Sequence, residues 1–210
     1  MTVSGGSLPP GVHPDAKVGP LVHVDPEVEI GPGTIVMPGA VLLGRTRVGA
    51  RCIVGPNAVV GTPGFGYEWR DGAHRRLEHS GEVIIEDDVE LGAGVTVAMA
   101  RTGRQTRIGQ GTKVDCQVHI GHNVLIGEHC LLVGQVGVAG SARIGDRVAL
   151  AGQVGVSDHV TIGDDAVVYA KSAVFRSVPA GERYSGIPAR PHPATKRFWA
   201  RLWRTFGGGK

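Results

Sequence analysis

An aliphatic side chain recurs every six residues along most of this chain. Counted from Val12, the positions Val18, Val24, Ile30, Val36, Leu42, Val48, Val54 and Val60 all hold one. The register resumes at Ile85, Leu91 and Val97, then runs unbroken from Ile108 to Val174. Two residues before these positions sits a small or β-branched residue, such as Ala16, Thr34, Cys52, Ala58, Thr106, Cys130 or Ala142. One residue after them glycine is frequent, as at Gly31, Gly49, Gly109, Gly127 and Gly145. A period of six fits neither the helical repeat nor plain strand alternation. It predicts a triangular coil in which a short strand is followed by a turn, with the aliphatic inward, the small residue in the corner and glycine at the turn. Three hexads close a coil of about 18 residues, so the 24 matching hexads predict about eight coils stacked at ~4.8 Å. The fold class is all-β, a parallel β-helix of hexapeptide repeats over 1–178, followed by a C-terminal extension over 179–210.

Two breaks interrupt the register. The first, 61–82, reads "GTPGFGYEWRDGAHRRLEHSGE" and carries Phe65, Tyr67 and Trp69. The second, 100–105, inserts five residues between Val97 and Ile108. Excursions from a rigid solenoid are expected where function or subunit contact needs an irregular surface. Near the end, 194–206 predicts a short amphipathic α-helix with Phe198, Leu202 and Trp203 on one side, and the final "GGGK" predicts a disordered end.

Composition agrees with a solenoid: aromatic residues make up 5% and glycine 34 of 210, which excludes a core anchored on large rings. Charge is asymmetric. From Arg183 onward there are seven basic residues and no acidic one, on a body that is net negative. Such a tail suits an acidic partner. Three cysteines without metal-type spacing (Cys52, Cys116, Cys130) fit a reducing compartment, with Cys52 and Cys130 filling corners. No secretory leader and no membrane-length apolar run are read from the sequence, so a cytoplasmic location is expected.

The chemistry concentrates in "VHIGHNVLIG", residues 118–127, where His119 and His122 stand in an otherwise apolar run. His159, in "VSDHVTIG", follows His122 by 37 residues, two coils plus one. Both should therefore lie on nearly the same edge, roughly 10 Å apart along the prism. A neutral imidazole is the commonest protein base near pH 7, and Asn123 would add a polar contact beside it. The other histidines, His13, His23, His74, His79, His129 and His192, are expected as solvated turn residues.

From about Gly11 to Arg190 the chain resembles the bacterial UDP-3-O-acylglucosamine N-acyltransferases of lipid A synthesis. The stretches that carry the resemblance are "GFGYEW", "GEVIIEDDVELGAGVTV", "KVDCQVHIGHNVLIGEH", "VGQVGVAGSARIGDRVALAGQVGV" and "YSGIPARPH", in that order. "HIGHN" is also similar to the sister O-acyltransferases that act on UDP-N-acetylglucosamine. The resemblance implies a left-handed coil, although crossovers in general favour the right hand. It implies His122 as general base, His159 as a second functional histidine, and substrate contacts at His119, Asp115, Gly140 and Phe65. It further implies that Tyr184, Gly186 and Pro188, with Arg190 nearby, lie close to the donor's pantetheine or phosphate. No metal is implied. The co-substrate would be acyl carrier protein phosphopantetheine or coenzyme A, and the acceptor an amino sugar. A C3 homotrimer with clefts between subunits is the family's arrangement. Arg183, Arg190, Lys196 and Arg197 would steer an acidic carrier protein to the groove.

Three departures stand out. The family usually has an N-terminal uridine-binding domain, whereas this chain begins at the β-helix. Ala98-Met99 replaces the family's Asp-Arg, and Cys116 replaces a common asparagine. They keep open a second enzyme reading, an acyl-coenzyme A-dependent acyltransferase with a different acceptor in a surface-glycan or specialised pathway. A scaffold solenoid would not need the aligned histidines. The zinc site of γ-type carbonic anhydrases, which share the prism, wants two histidines five apart; the gaps here are three and seven. No nucleic-acid-binding module is present in the sequence.

Overall fold

A computed structural model describes residues 9–206; the terminal "GGGK" and Lys210 of the basic tail lie outside the described residues. Short strands wind into a three-sided prism whose faces are sheets of ten, eight and seven strands. The eight-stranded face is the one that matters for the site. It stacks His23–Val24, Val41–Leu42, Val59–Thr62, Thr96–Ala98, His119–Ile120, Gly137–Val138, Gly155–Val156 and Ala173–Val174. Neighbours in a stack are 18 residues apart, as in His119↔Gly137↔Gly155↔Ala173. Across the second break the offset becomes 23, as in Glu90↔Lys113, the five extra residues being looped out around Gly103.

The hexad aliphatics point inward and are sealed from water. Leu42, Ile85, Leu91, Ile108, Ile120, Leu132, Leu150 and Ile162 are the largest fully buried side chains, and no aromatic ring belongs to the described core. Each such burial is worth about 1.5–3 kcal/mol. Corner residues are satisfied as well as packed. The Thr34 hydroxyl donates to the Gly49 carbonyl at 2.7 Å and accepts the Cys52 N–H at 3.0 Å. Thr112 does the same with Gly127 and Cys130. Burial pushes both cysteine thiols up in pKa.

The repeat glycines act differently from the sequence expectation. Gly109 and Gly127, each one residue past an inward aliphatic, do not have positive φ. A Cβ on Gly109 would lie 2.5 Å from the carbonyl carbon of Gly127, and one on Gly127 would lie 2.7 Å from that of Gly145. They are glycines because the coil above leaves no room for a side chain. The left-handed turn position comes later in the hexad and carries mostly ordinary residues, among them Asn123 (φ 63°), Gln135 (62°), Ser141 (64°) and His159 (56°). Left-handed backbone costs such residues on the order of 1–2 kcal/mol each. Hydrogen bonds between coils offset it, for example Ser141 N–H to the His122 carbonyl at 2.8 Å and His159 N–H to that of Gly140 at 3.3 Å.

The first break forms an antiparallel hairpin, Tyr67–Arg70 with Ala73–Arg76, turned at Asp71-Gly72. At the other end stacking continues past residue 178. Val178 bridges to Ile162, and Arg183–Ser185 pairs in parallel with Val167–Val168 before Arg190–Pro191 folds back on it. Backbone pairing there outlasts the side-chain hexad, which is all the sequence pattern could follow. The helix spans His192–Phe206, with Pro193 in its first turn, where a missing N–H is tolerated; none of its residues is buried.

Urea unfolding should separate the two kinds of turn residue. Gly109→Ala is expected to lose about 1–3 kcal/mol through overpacking between coils. Lys171→Gly, at a left-handed position (φ 58°), should stay within about 0.5 kcal/mol of the parent, because relief of strain is offset by a freer unfolded chain.

Candidate active site

A groove of about 770 Å³ runs along the edge between the eight- and seven-stranded faces. Its floor consists of Gly137 and Gly155, outward-facing strand positions where a Cβ would meet nothing within 4 Å. Phe65 and Phe175 flank it, and His119, His122, Gly140, Ser141, Asp158 and His159 line it. Two consecutive glycines in the stack turn a pleated surface into an open trough.

His122 occupies the first turn position after His119–Ile120, and Asn123 the second. The Asn123 side-chain oxygen accepts the Arg101 N–H at 3.1 Å and lies 2.9 Å from His122 Nδ1. An oxygen already accepting from one N–H must accept from Nδ1–H too, so neutral His122 carries its free lone pair on Nε2. The Asn123 N–H is in turn anchored on the Thr106 hydroxyl at 2.9 Å. Stacking places Gly140 at the same corner one coil on. A Cβ there would stand 2.7 Å from His122 Nε2, so only glycine leaves the ring its place. One coil further, register puts Asp158 in the His122 column and His159 in the Asn123 column. His159 thus lines the groove and also a neighbouring 360 Å³ depression with Arg104, Asn123 and Arg143.

His119 lies in the trough beside Gly137. Its edge is open to solvent, yet packing against the prism desolvates the ring and lowers its pKa. Phe65, 85% exposed, overhangs the groove from the first break. The remaining sequence candidates lie elsewhere. Asp115 sits on another edge, beside a depression with Met37, Leu131 and Val133. Its carboxylate accepts the N–H groups of Cys116 (2.7 Å) and Gly134 (2.9 Å), which hold its pKa below the usual range. Tyr184 packs half-buried on the end of the core. Arg190 borders a 340 Å³ hollow between Ile187, Pro188 and the helix residues Phe198 and Trp199.

One residue overturns its expectation. His79 is not a solvated turn residue but 7% exposed, with its ring 4.8 Å from that of His122 and tilted 57° to it. Burial lowers its pKa, opposed by the hydrogen bond to the Leu77 carbonyl and reinforced by His122, Arg101 and Arg76. It falls outside the hexad register, so no periodic signal marked it. Asp158 and Phe175 were missed for the opposite reason, since as ordinary outward repeat positions nothing distinguished them from any other.

Residues 28–62 and 105–140 match the bacterial transferase hexapeptide (six repeats) family. The fold superposes on LpxA from Acinetobacter baumannii with a TM-score of 0.79 and 25% identity, over 90% of this chain and 73% of that one. It also superposes on the UDP-N-acetylglucosamine acyltransferase from Campylobacter jejuni (0.75, 18%, 95% and 86%). The prism is a left-handed parallel β-helix, and the proteins it is similar to include acyltransferases built on the same repeat. In sequence it is similar to proteins named UDP-3-O-acylglucosamine N-acyltransferase. One, from Syntrophobacter fumaroxidans, is 57% identical over 69% of this chain and 41% of its own length. Another, from Methylorubrum extorquens strain PA1, is 38% identical over 71% and 43%. The chain therefore spans less than half the length of these curated relatives.

The lowered His79 pKa has a sign that unfolding can test. A histidine that protonates less readily when folded favours the unfolded chain once pH falls below its free value of 6.5. Stability of the parent should therefore fall relative to His79→Phe as pH drops from 7.5 to 5, and the gap should be constant above pH 7.5. Urea midpoints across that range measure it.

Proposed function

We propose that this chain transfers an acyl group from a thioester, on acyl carrier protein or coenzyme A, to the amine of a UDP-linked acylglucosamine. The observation that carries this reading is the fixed tautomer of His122, whose free Nε2 lone pair lies over Gly140 beside a glycine-floored trough. A slim pantetheine arm suits such a trough. The similarity to enzymes named for this reaction supports the acceptor.

In the proposed step the acceptor amine attacks the thioester carbonyl while His122 Nε2 takes its proton. A tetrahedral oxyanion forms, and we assign the Gly140 N–H as its donor because it gives to no backbone carbonyl among the described residues. The C–N bond is made in forming that intermediate; its collapse breaks the C–S bond, and the imidazolium returns its proton to the leaving thiolate. His159 and His119 would orient substrate along the groove, with Asn123 keeping the base in its tautomer. Phe65 would contact the acceptor.

Exposed Ile35, Leu131 and Val133 on the ten-stranded face support a homotrimer, with each groove completed by a neighbouring subunit. The helix carries Lys196, Arg197, Arg201 and Arg204 and no acidic residue. With Arg183 and Arg190 it forms a basic end suited to an acidic carrier protein. Donor contacts at Tyr184 and a carboxylate role for Asp115 would have to come through such assembly, since both lie off the groove.

Acylation of UDP-3-O-acylglucosamine by 3-hydroxyacyl-carrier protein and by the matching acyl-coenzyme A tests the reading. His122→Ala should lower transfer on the order of 100-fold. Gly140→Ala should lower it at least about 10-fold by displacing the base. A folded parent with no transfer to this acceptor from either donor would overturn the acceptor assignment and favour a different amino sugar. In sedimentation, the mass of three chains is expected, and a monomer would remove the intersubunit cleft.

A further inference from the structure

We propose that His79 is a positioning residue, clamping the His122 imidazole so that its Nε2 stays over Gly140. The proposal rests on the reading of His122 as the base and deepens it. His79 Nδ1 lies 3.0 Å from the Leu77 carbonyl, so Nδ1–H donates and Nε2 is left as a bare acceptor. That Nε2 is buried and has no hydrogen-bond partner, alone among the buried side-chain polar atoms of the described residues. Buried polar atoms are normally paired. A hydrocarbon ring would fill this space without leaving an orphan.

What the imidazole adds is an anchored ring. Tethered to Leu77, it cannot turn away, and it stands 4.8 Å from the His122 ring. The first break also lies close against the His79 ring and the His122 Cβ. A Cβ on Gly64 would lie 2.5 Å from His79 Cδ2 and 2.9 Å from His122 Cβ, and one on Gly66 would lie 2.9 Å from His79 Cε1. The glycines either side of Phe65 therefore let the loop lie flat on the two histidines while Phe65 projects to the groove. His122 is thus held at Nδ1 by Asn123 and flanked by the tilted His79 ring, so that neither ring flip nor tautomer exchange is free. The same clamp couples the Phe65 loop to the base.

The test uses the full chain with 15N-labelled histidine and compares parent, His79→Ala, His79→Phe and Gly64→Ala. The parent should show His122 as one tautomer, protonated at Nδ1. His79→Ala should bring its ring 15N shifts toward the average of two tautomers. It should also lower kcat at least about 10-fold while KM for donor and acceptor stays within about twofold. His79→Phe, which keeps the ring but not the Leu77 tether, should recover part of the single-tautomer signal and of kcat and fall between His79→Ala and the parent. Gly64→Ala, which pushes on an intact His79, should shift the His122 signals the same way by a smaller amount. Unchanged 15N shifts and kcat in His79→Ala would overturn the clamp. So would a loss in His79→Phe equal to that in His79→Ala with both proteins folded. A parent that transfers no acyl group would instead refute the proposed function, and the 15N shifts would still report on the clamp.

Discussion

Coil-to-coil stacking of inward aliphatic residues is the constraint on which everything else in this protein depends. Val138 lies on Ile120 and Val156 on Val138, each in register through its strand, and each strand donates backbone hydrogen bonds to the coil above, as Gly121 N–H does to the Val138 carbonyl at 2.8 Å. Since both the side-chain and the backbone stacks repeat every 18 residues, neither can slip without breaking the other. No large aromatic is needed, because the prism is narrow and branched aliphatics already fill it.

That rigidity turns each corner of the prism into a column of equivalent positions about 4.8 Å apart. The spacing is shorter than an imidazole with room around it, so a functional ring at one level dictates what stands at the next. Gly140 beside His122 is the clearest case, and the glycine floor at 137 and 155 extends the same logic across the face. The groove is thus made by omission of side chains from a repeating surface rather than by a curved wall. His159 enters it from the adjoining column, which explains why one histidine faces both the groove and the depression beside Arg104 and Arg143.

The irregular segments supply what a repeat cannot. Arg101 in the second break offers the N–H that fixes the Asn123 oxygen, and the first break brings His79, Gly64 and Phe65 onto the same corner. Both breaks therefore converge on His122 from different coils. An all-repeat solenoid would leave that imidazole a solvated corner residue with an open choice of tautomer.

The six-residue period alone determined the triangular coil, its inward column and the placing of His122 and His159 on one edge in adjoining columns, since these follow from spacing in a rigid repeat. The left hand came only from resemblance, because an aliphatic period reads the same in either screw sense. The turn glycines were misassigned in role: a sequence shows that a side chain is absent but not whether φ or a neighbouring coil forbids it. Asp115, Tyr184 and Arg190 matched motifs but lie off the groove, as motif position does not say which edge a residue takes. His79 and the fixed tautomer of His122 were decided by tertiary structure alone, because the groups that hold them, Leu77, Gly64, Arg101 and Asn123, come from loops with no period to connect them.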